Sequence, residues 1–404
     1  MQNNILVFLT LLLGVIGGTG AYKLSALFSN LMYITSLGIY FWIQLENYRH
    51  MGPGSIKIDL KKYVVFLLYI TFLLAYFLKE TTVGMQYMFT SDAGLMRQYT
   101  DLFRGLITFL IVAATYQITK EAKILVILPL LCLSMQLLGL FLESYDIIDY
   151  NDKMAAEDYI EEDVNTKLLH RPGGFLNANM TAAIAMIWFF IMMEVNKDSA
   201  IILKGIALLL TLSICILTQS RAAMLFLASY ALYTLIVSRN LKFLMALVFV
   251  AMVSLAISHY FELVMVQDIV DNFTSRADRN NSSTLERLSV LAYAIKSFFD
   301  APVFGNGYRY VAKTEGHGLS SHNQVVEILT NFGLVGFVVI VILYITFYHK
   351  NSFSYLSLCI FPTMLFSHNF FENSSYQVVL AFAYYGYDNA RAKIRGNRIV
   401  KEME

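Results

Sequence analysis

Apolar runs of about 17–24 residues recur along the whole chain, each long enough to cross a bilayer as an α-helix. That recurrence leaves little choice of architecture. A soluble chain carries about 25% charged residues, whereas this one carries 15%, with 57% hydrophobic residues and 5 prolines among 404 residues. The expected fold class is all-α: a polytopic transmembrane helical bundle of about twelve spans, a single integral membrane domain over 1–404. The spans are read at 4–20, 25–45, 62–80, 102–118, 124–142, 175–194, 201–218, 222–238, 243–259, 324–348, 355–368 and 374–388. The first run, "ILVFLTLLLGVIGG", has neither a basic leader nor a small-residue cleavage site, so it reads as a retained helix.

Orientation follows from lysines and arginines in the short connections. Arg49, Lys57, Lys61, Lys62, Lys120, Lys123, Lys197, Lys204, Arg239, Lys242 and Lys350 all fall on one side if both termini are cytoplasmic, as does the basic tail "RAKIRGNRIVKEME". The outer side then receives an acidic loop at 143–174 and a long loop at 260–322. A loop of that second length in a compact membrane protein is usually functional or partly disordered. Within it, "TLERLSVLAYAIKSFF" places apolar residues at helical spacing, which predicts an amphipathic helix lying against the outer membrane surface. A net charge of +1 gives no footprint for nucleic acid. Cys132, Cys215 and Cys359 sit inside apolar runs and read as small buried hydrophobes.

The polar features gather on that same outer side: "HRPGGFLNANM", "TQSRAAM", "SSTLERL", "APVFGNGY" and two copies of Ser-His-Asn. Arg221 lies in a turn tight enough to hold it at the outer interface, either as a snorkelling anchor or as a ligand for an anion. Arg287 and Arg171 are surface arginines by default. Together, however, three guanidinium forks would suit the oxygens of a lipid diphosphate. Ser321 and Gln324 have the spacing of a capping box, which would place His322 in the first helical turn. The helix dipole there disfavours imidazolium, so the ring would stay neutral and able to accept a proton. The plainer alternative is that the triplet is only a polar cap. Asn323 and Glu327, four apart, share a face and would orient a substrate or a neighbour. Gly305 and Gly307 predict a turn with positive φ near the ligand, and Asn177 and Asn179 offer amides at headgroup depth. His368, in the second triplet, either lines an acceptor channel or caps a helix C-terminus. No spacing supports a metal, and no dinucleotide or Walker fingerprint occurs.

Four of these motifs, in order over 170–336, resemble the O-antigen ligase and polymerase superfamily, the lipopolysaccharide ligases and Wzy-type polymerases. They are "GGFLNANMTAA", with Ala178 where the family usually has Pro; "TQSRAAM", with Ala222 where Gly is common; "ERLSVLAYAIKSFFDAPVFGNGY"; and "SHNQVVEILTNFGLVG". The resemblance implies a metal-independent inverting glycosyltransferase without a cofactor, in the bacterial inner membrane with its site facing the periplasm. The partners it implies are a glycan donor on undecaprenyl diphosphate, a glycan or lipid A–core acceptor, and a chain-length regulator. Carried over by position, Arg221 and Arg287 would hold the diphosphate leaving group and His322 would activate the acceptor hydroxyl. The superfamily does not clearly assign Arg171 or His368.

Three functions compete. A polymerase adds the growing chain to a new lipid-linked repeat unit, a ligase moves the finished chain to lipid A–core, and a twelve-span chain could also be a transporter. The near-neutral charge and acidic outer loop suit a phosphorylated core acceptor poorly, which favours the polymerase. Transporters commonly carry related halves and mid-span polar residues, whereas here the polar clusters lie at span ends and no half-to-half echo exists beyond the short triplet.

Overall fold

The computed structural model describes residues 2–18, 26–51, 122–145, 147–148, 173–176, 178–195, 201–238, 288–307, 310–311 and 323–351, with isolated positions between 245 and 260 and at 379. The described residues are nearly all helical, and no strand occurs among them, so the all-α expectation holds. The helices are α1 (Gln2–Gly18), α2 (Ala26–Met51), α3 (Ala122–Ser144), α4 (Ala178–Val195), α5 (Ile201–Leu217) and α6 (Arg221–Ser238), then α7, helical over 288–300, and α8 (Gln324–Asn351). One described helix has a segment, Ile127–Ser144, long and apolar enough to cross a membrane by itself; shorter apolar segments occur in α1, α4, α5, α6 and α8. The expected spans at 62–80, 102–118 and 355–368 lie outside the described residues, as do nearly all of 374–388 and much of 243–259.

The chain divides into two compact units, one of residues 1–11, 36–119 and 279–391, the other of 12–35, 120–278 and 392–404. In the second, α3 packs on α4 and α5, and α4 packs on α5 and α6. The sequence of α4, "ANMTAAIAMIWFFIMMEV", is apolar on every side, the signature of a helix surrounded by others. Trp188, Phe189 and Phe190 are accordingly fully buried. Phe189 and Phe190 meet Tyr230 of α6 edge to face, with ring centroids 5.8 and 5.1 Å apart, a geometry worth about 0.5–1.5 kcal/mol per pair beyond area burial. Cys132 and Cys215 form no disulfide and are buried, as expected; Cys359 lies outside the described residues.

In the first unit, the Ser36 hydroxyl donates to the Thr10 carbonyl at 2.8 Å and joins α2 to α1. α2 turns Ile34, Phe41, Trp42 and Leu45 outward, each about half exposed or more, as a helix facing hydrocarbon does. The helix expected within the long outer loop is present as α7. Val290, Ala294 and Ser297 are buried while Leu288, Ile295 and Phe299 are exposed. Against the expectation of an unbroken span at 324–348, α8 is interrupted at Gly333, whose φ of 65° and ψ of −163° are not helical.

Candidate active site

The break in α8 is filled by the glycine turn. In an unbroken helix the carbonyls of Thr330 and Asn331 would accept from the amides of Leu334 and Val335, four residues on. Here Asn306 N–H donates to Thr330 O at 2.9 Å and Gly307 N–H to Asn331 O at 3.1 Å. In return Leu334 N–H donates to Pro302 O at 2.9 Å and Val335 N–H to Val303 O at 3.2 Å. The loop therefore takes over two orphaned acceptors and two orphaned donors, which would otherwise be costly to bury. Such close backbone approach needs glycine. Gly305 (φ 71°) and Gly333 (φ 65°) both sit in the left-handed region. A Cβ on Gly305 would overlap the Asn331 carbonyl, and one on Gly333 would overlap the Val303 carbonyl. The positive φ expected of Gly305 and Gly307 is found, and the turn they make is joined to α8.

The same junction joins α7 to α8. Thr330 Oγ1 donates to Ala294 O at 2.9 Å, and Asn306 Nδ2 donates to Ser297 O at 2.5 Å and to Thr330 O at 3.3 Å. Above it Val290, Ala294 and Val311 form a buried cluster, with Tyr293 and Val326 packed on it. Thr330 against Ala294, and Val326 against the cluster that holds Val290, pack α8 alongside α7.

α8 starts at Gln324, and its cap is Asn323. The Asn323 Oδ1 accepts from Val325 N–H at 3.0 Å and Val326 N–H at 3.2 Å. Asn323 thus caps α8 where a Ser321 capping box was expected; Ser321 and His322 themselves lie outside the described residues. Glu327 is 2% exposed, and its carboxylate accepts from Asn331 Nδ2 at 3.5 Å, the long end of hydrogen bonding. Asn331 Oδ1 in turn accepts from Tyr310 N–H at 3.2 Å. Asn306 and Asn331, central to this junction, escaped the sequence reading. The glycines either side of Asn306 were the available signal. Burial, then the charge and hydrogen bond of Tyr293, then the charge of Asp300 push the Tyr310 phenol above its ordinary value.

In the other unit two turns organise the expected motifs. α5 ends in a Schellman arrangement: Ser220 N–H reaches Cys215 O at 3.3 Å and Gln219 N–H reaches Ile216 O at 3.0 Å. Gln219 occupies the left-handed position (φ 49°) where glycine is usual. Ser220 O then accepts Met224 N–H at 3.0 Å, so α6 begins at once and Arg221 is its first residue. The residues 211–220 are all buried, which fixes the backbone that carries Arg221. The second turn is Gly173–Leu176. Buried Glu143, at the end of α3, accepts both Gly173 N–H (2.6 Å) and Gly174 N–H through Oε2. Thr181 Oγ1 closes the turn on Gly173 O at 2.5 Å, and Phe175 lies over Gly139, where a Cβ would come within 2.6 Å of its ring. Glu143, read as the start of a solvated acidic loop, is instead a helix residue spent on this turn. Asn179 is exposed in the first turn of α4. Arg171, Asn177, Arg287, His322 and His368 lie outside the described residues. Among the described residues no group of His, Cys, Asp and Glu is placed to hold a metal.

Residues 206–341 match the family described as O-antigen ligase. The match runs from α5 through the Arg221 turn and the glycine junction into α8. No curated protein matches the chain.

Proposed function

We propose that this chain, which belongs to the O-antigen ligase/polymerase superfamily, is a membrane glycosyltransferase that moves a glycan from undecaprenyl diphosphate to an acceptor hydroxyl at the periplasmic face. The acceptor is a further lipid-linked repeat unit, which makes the protein a surface-polysaccharide polymerase. In the transfer, the acceptor oxygen attacks the anomeric carbon from the face opposite the diphosphate. The new C–O bond forms as the bond to phosphate breaks, and the leaving diphosphate keeps the electron pair. His322 takes the acceptor proton, and Arg221 and Arg287 neutralise the charge that develops on the leaving group. Arg171, Asn177, Asn179 and His368 serve substrate contacts. No metal is required, since two guanidinium forks supply the charge that a divalent ion supplies elsewhere.

The observation that supports this reading is the packing of α7 against α8. In sequence, Arg287 immediately precedes α7 and His322 stands two residues before Gln324, the first residue of α8. A phosphate-binding cation and a base, the two residue types that an inverting transfer needs, thus flank the starts of two packed helices in the sequence. The membrane character of the family and the exposed apolar face of α2 fit a lipid-linked donor. A second reading is favoured by the description of the matching family: a ligase that passes the finished glycan to lipid A–core. The near-neutral net charge of +1 and the acidic 143–174 segment favour the polymerase.

The test is extension of a lipid-linked repeat unit by the purified protein in liposomes. Wild type should lengthen the glycan without added metal, and His322→Ala and Arg221→Ala should each lose about 100-fold or more in rate. Full activity in both variants would sink the site assignment.

A further inference from the structure

We infer that Asn306, between the two glycines of the junction, is a positioning residue of the transfer reaction, setting the spacing of the helices that lead to Arg287 and His322. This inference rests on the reading of those two residues as the reacting pair. The Asn306 side chain is half-buried and its amide spans two elements, donating to Ser297 O on α7 and Thr330 O on α8. Its backbone amide adds a second bond to Thr330 O. Thr330 is fully buried, and its own hydroxyl reaches back to Ala294 O at 2.9 Å and Val326 O at 2.9 Å. These hydrogen bonds converge on Thr330 and Asn306, where α8 has lost its own ladder. At 1.5 Å per residue, Ser297 lies about 14 Å along α7 from Leu288, and Thr330 about 9 Å along α8 from Gln324. A small splay at the junction is therefore carried to the starts of α7 and α8, next to the proposed reacting residues in sequence, and a displacement of about 1 Å at a reacting centre can cost on the order of 100-fold in rate.

Asparagine is suited to this place because both acceptors are carbonyls and the side chain must donate to each. Aspartate keeps the shape but presents an acceptor to two acceptors, which reverses the interaction. Asn306→Asp should therefore lower kcat by about tenfold or more, with the KM for donor unchanged, because the groups that bind the diphosphate remain. Asn306→Ala should do the same more mildly. Ser36→Ala removes a buried hydrogen bond in the same unit but away from the junction. It should lose thermal stability while keeping kcat, so a loss confined to stability is recognisable.

A spacing measurement makes the inference independent of activity. Spin labels at Leu288→Cys and Val325→Cys, in full-length protein with Cys132, Cys215 and Cys359 replaced by serine, report the separation of the two helix ends. The parent should give one narrow distance, and Asn306→Asp should broaden or lengthen it. An unchanged distance, or a kcat within twofold of wild type for a folded Asn306→Asp protein, overturns the inference. If His322→Ala is fully active while Asn306→Asp still shifts the distance, the reading of the reacting pair fails and the mechanical role of Asn306 stands.

Discussion

At the scale of single residues, the backbone around the candidate site is fixed by groups whose partners are other parts of the chain. Gly305 illustrates the constraint most sharply, since it combines a positive φ with a backbone contact that leaves no room for a methyl group. Gly305→Ala should destabilise the protein by about 2–4 kcal/mol, seen as a lowered thermal midpoint in detergent. Gly205, on an exposed stretch of α5 with nothing within 4 Å of its Cβ position, should behave in the opposite way. Gly205→Ala should be neutral or stabilise by about 0.5–1 kcal/mol through helix propensity. Glu143 makes the same point with charge. Glu143→Ala would leave the amides of Gly173 and Gly174 buried and unpaired, a loss of about 2–4 kcal/mol, whereas Glu143→Gln keeps an acceptor and should lose about half of that. Unfolding of the two variants side by side measures the difference.

At the scale of elements, the start of α8 separates two sequence-equivalent caps. Ser321 and Asn323 are both good capping types, and local spacing favoured the serine. The structure selects Asn323, whose Oδ1 meets Val325 and Val326. Asn323→Ala should thus lower stability by about 1 kcal/mol, and Ser321→Ala should have no capping effect. The α7–α8 pair also carries a pH signature. The Tyr310 phenol is held above its ordinary value, so the folded state binds the phenolic proton more tightly than the unfolded chain does. Its contribution is fully present below pH 10 and is lost as pH rises through the folded value. Tyr310→Phe should flatten the alkaline limb of a stability–pH curve, which thermal scans from neutral to alkaline pH would reveal. These elements also show how far the sequence could be read. Helices, buried cysteines, the tight turn before Arg221 and positive φ at Gly305 and Gly307 follow from local rules of periodicity and backbone sterics. The Gly333 break did not, because a glycine inside an apolar run, here with Gly336 three residues on, looks like any tolerated glycine until the loop at 302–307 replaces its lost hydrogen bonds. Glu143 was misassigned to solvent for a related reason: its partners, the Gly173 and Gly174 amides, lie 30 and 31 residues away.

At the scale of the whole molecule, the remaining choice is between acceptors, because polymerase and ligase share donor, leaving group and reacting residues. They differ in what accumulates when the protein is removed. A polymerase joins repeat units before attachment, so its loss leaves a ligase free to attach single repeats. The surface glycan should then run as one short band on electrophoresis. Loss of a ligase instead leaves polymerisation intact, and long glycan should accumulate on the undecaprenyl carrier with lipid A–core bare. The expected outcome for this chain is the first: on the proposed topology the acidic 143–174 segment faces the acceptor side and would repel a phosphorylated core acceptor. Restoring the deletion with Arg221→Ala should leave the short band in place, and restoring it with wild type should return the full ladder. Long carrier-linked glycan after deletion would assign the protein to the ligase branch while leaving its reacting residues as proposed. Unchanged length and attachment would remove both.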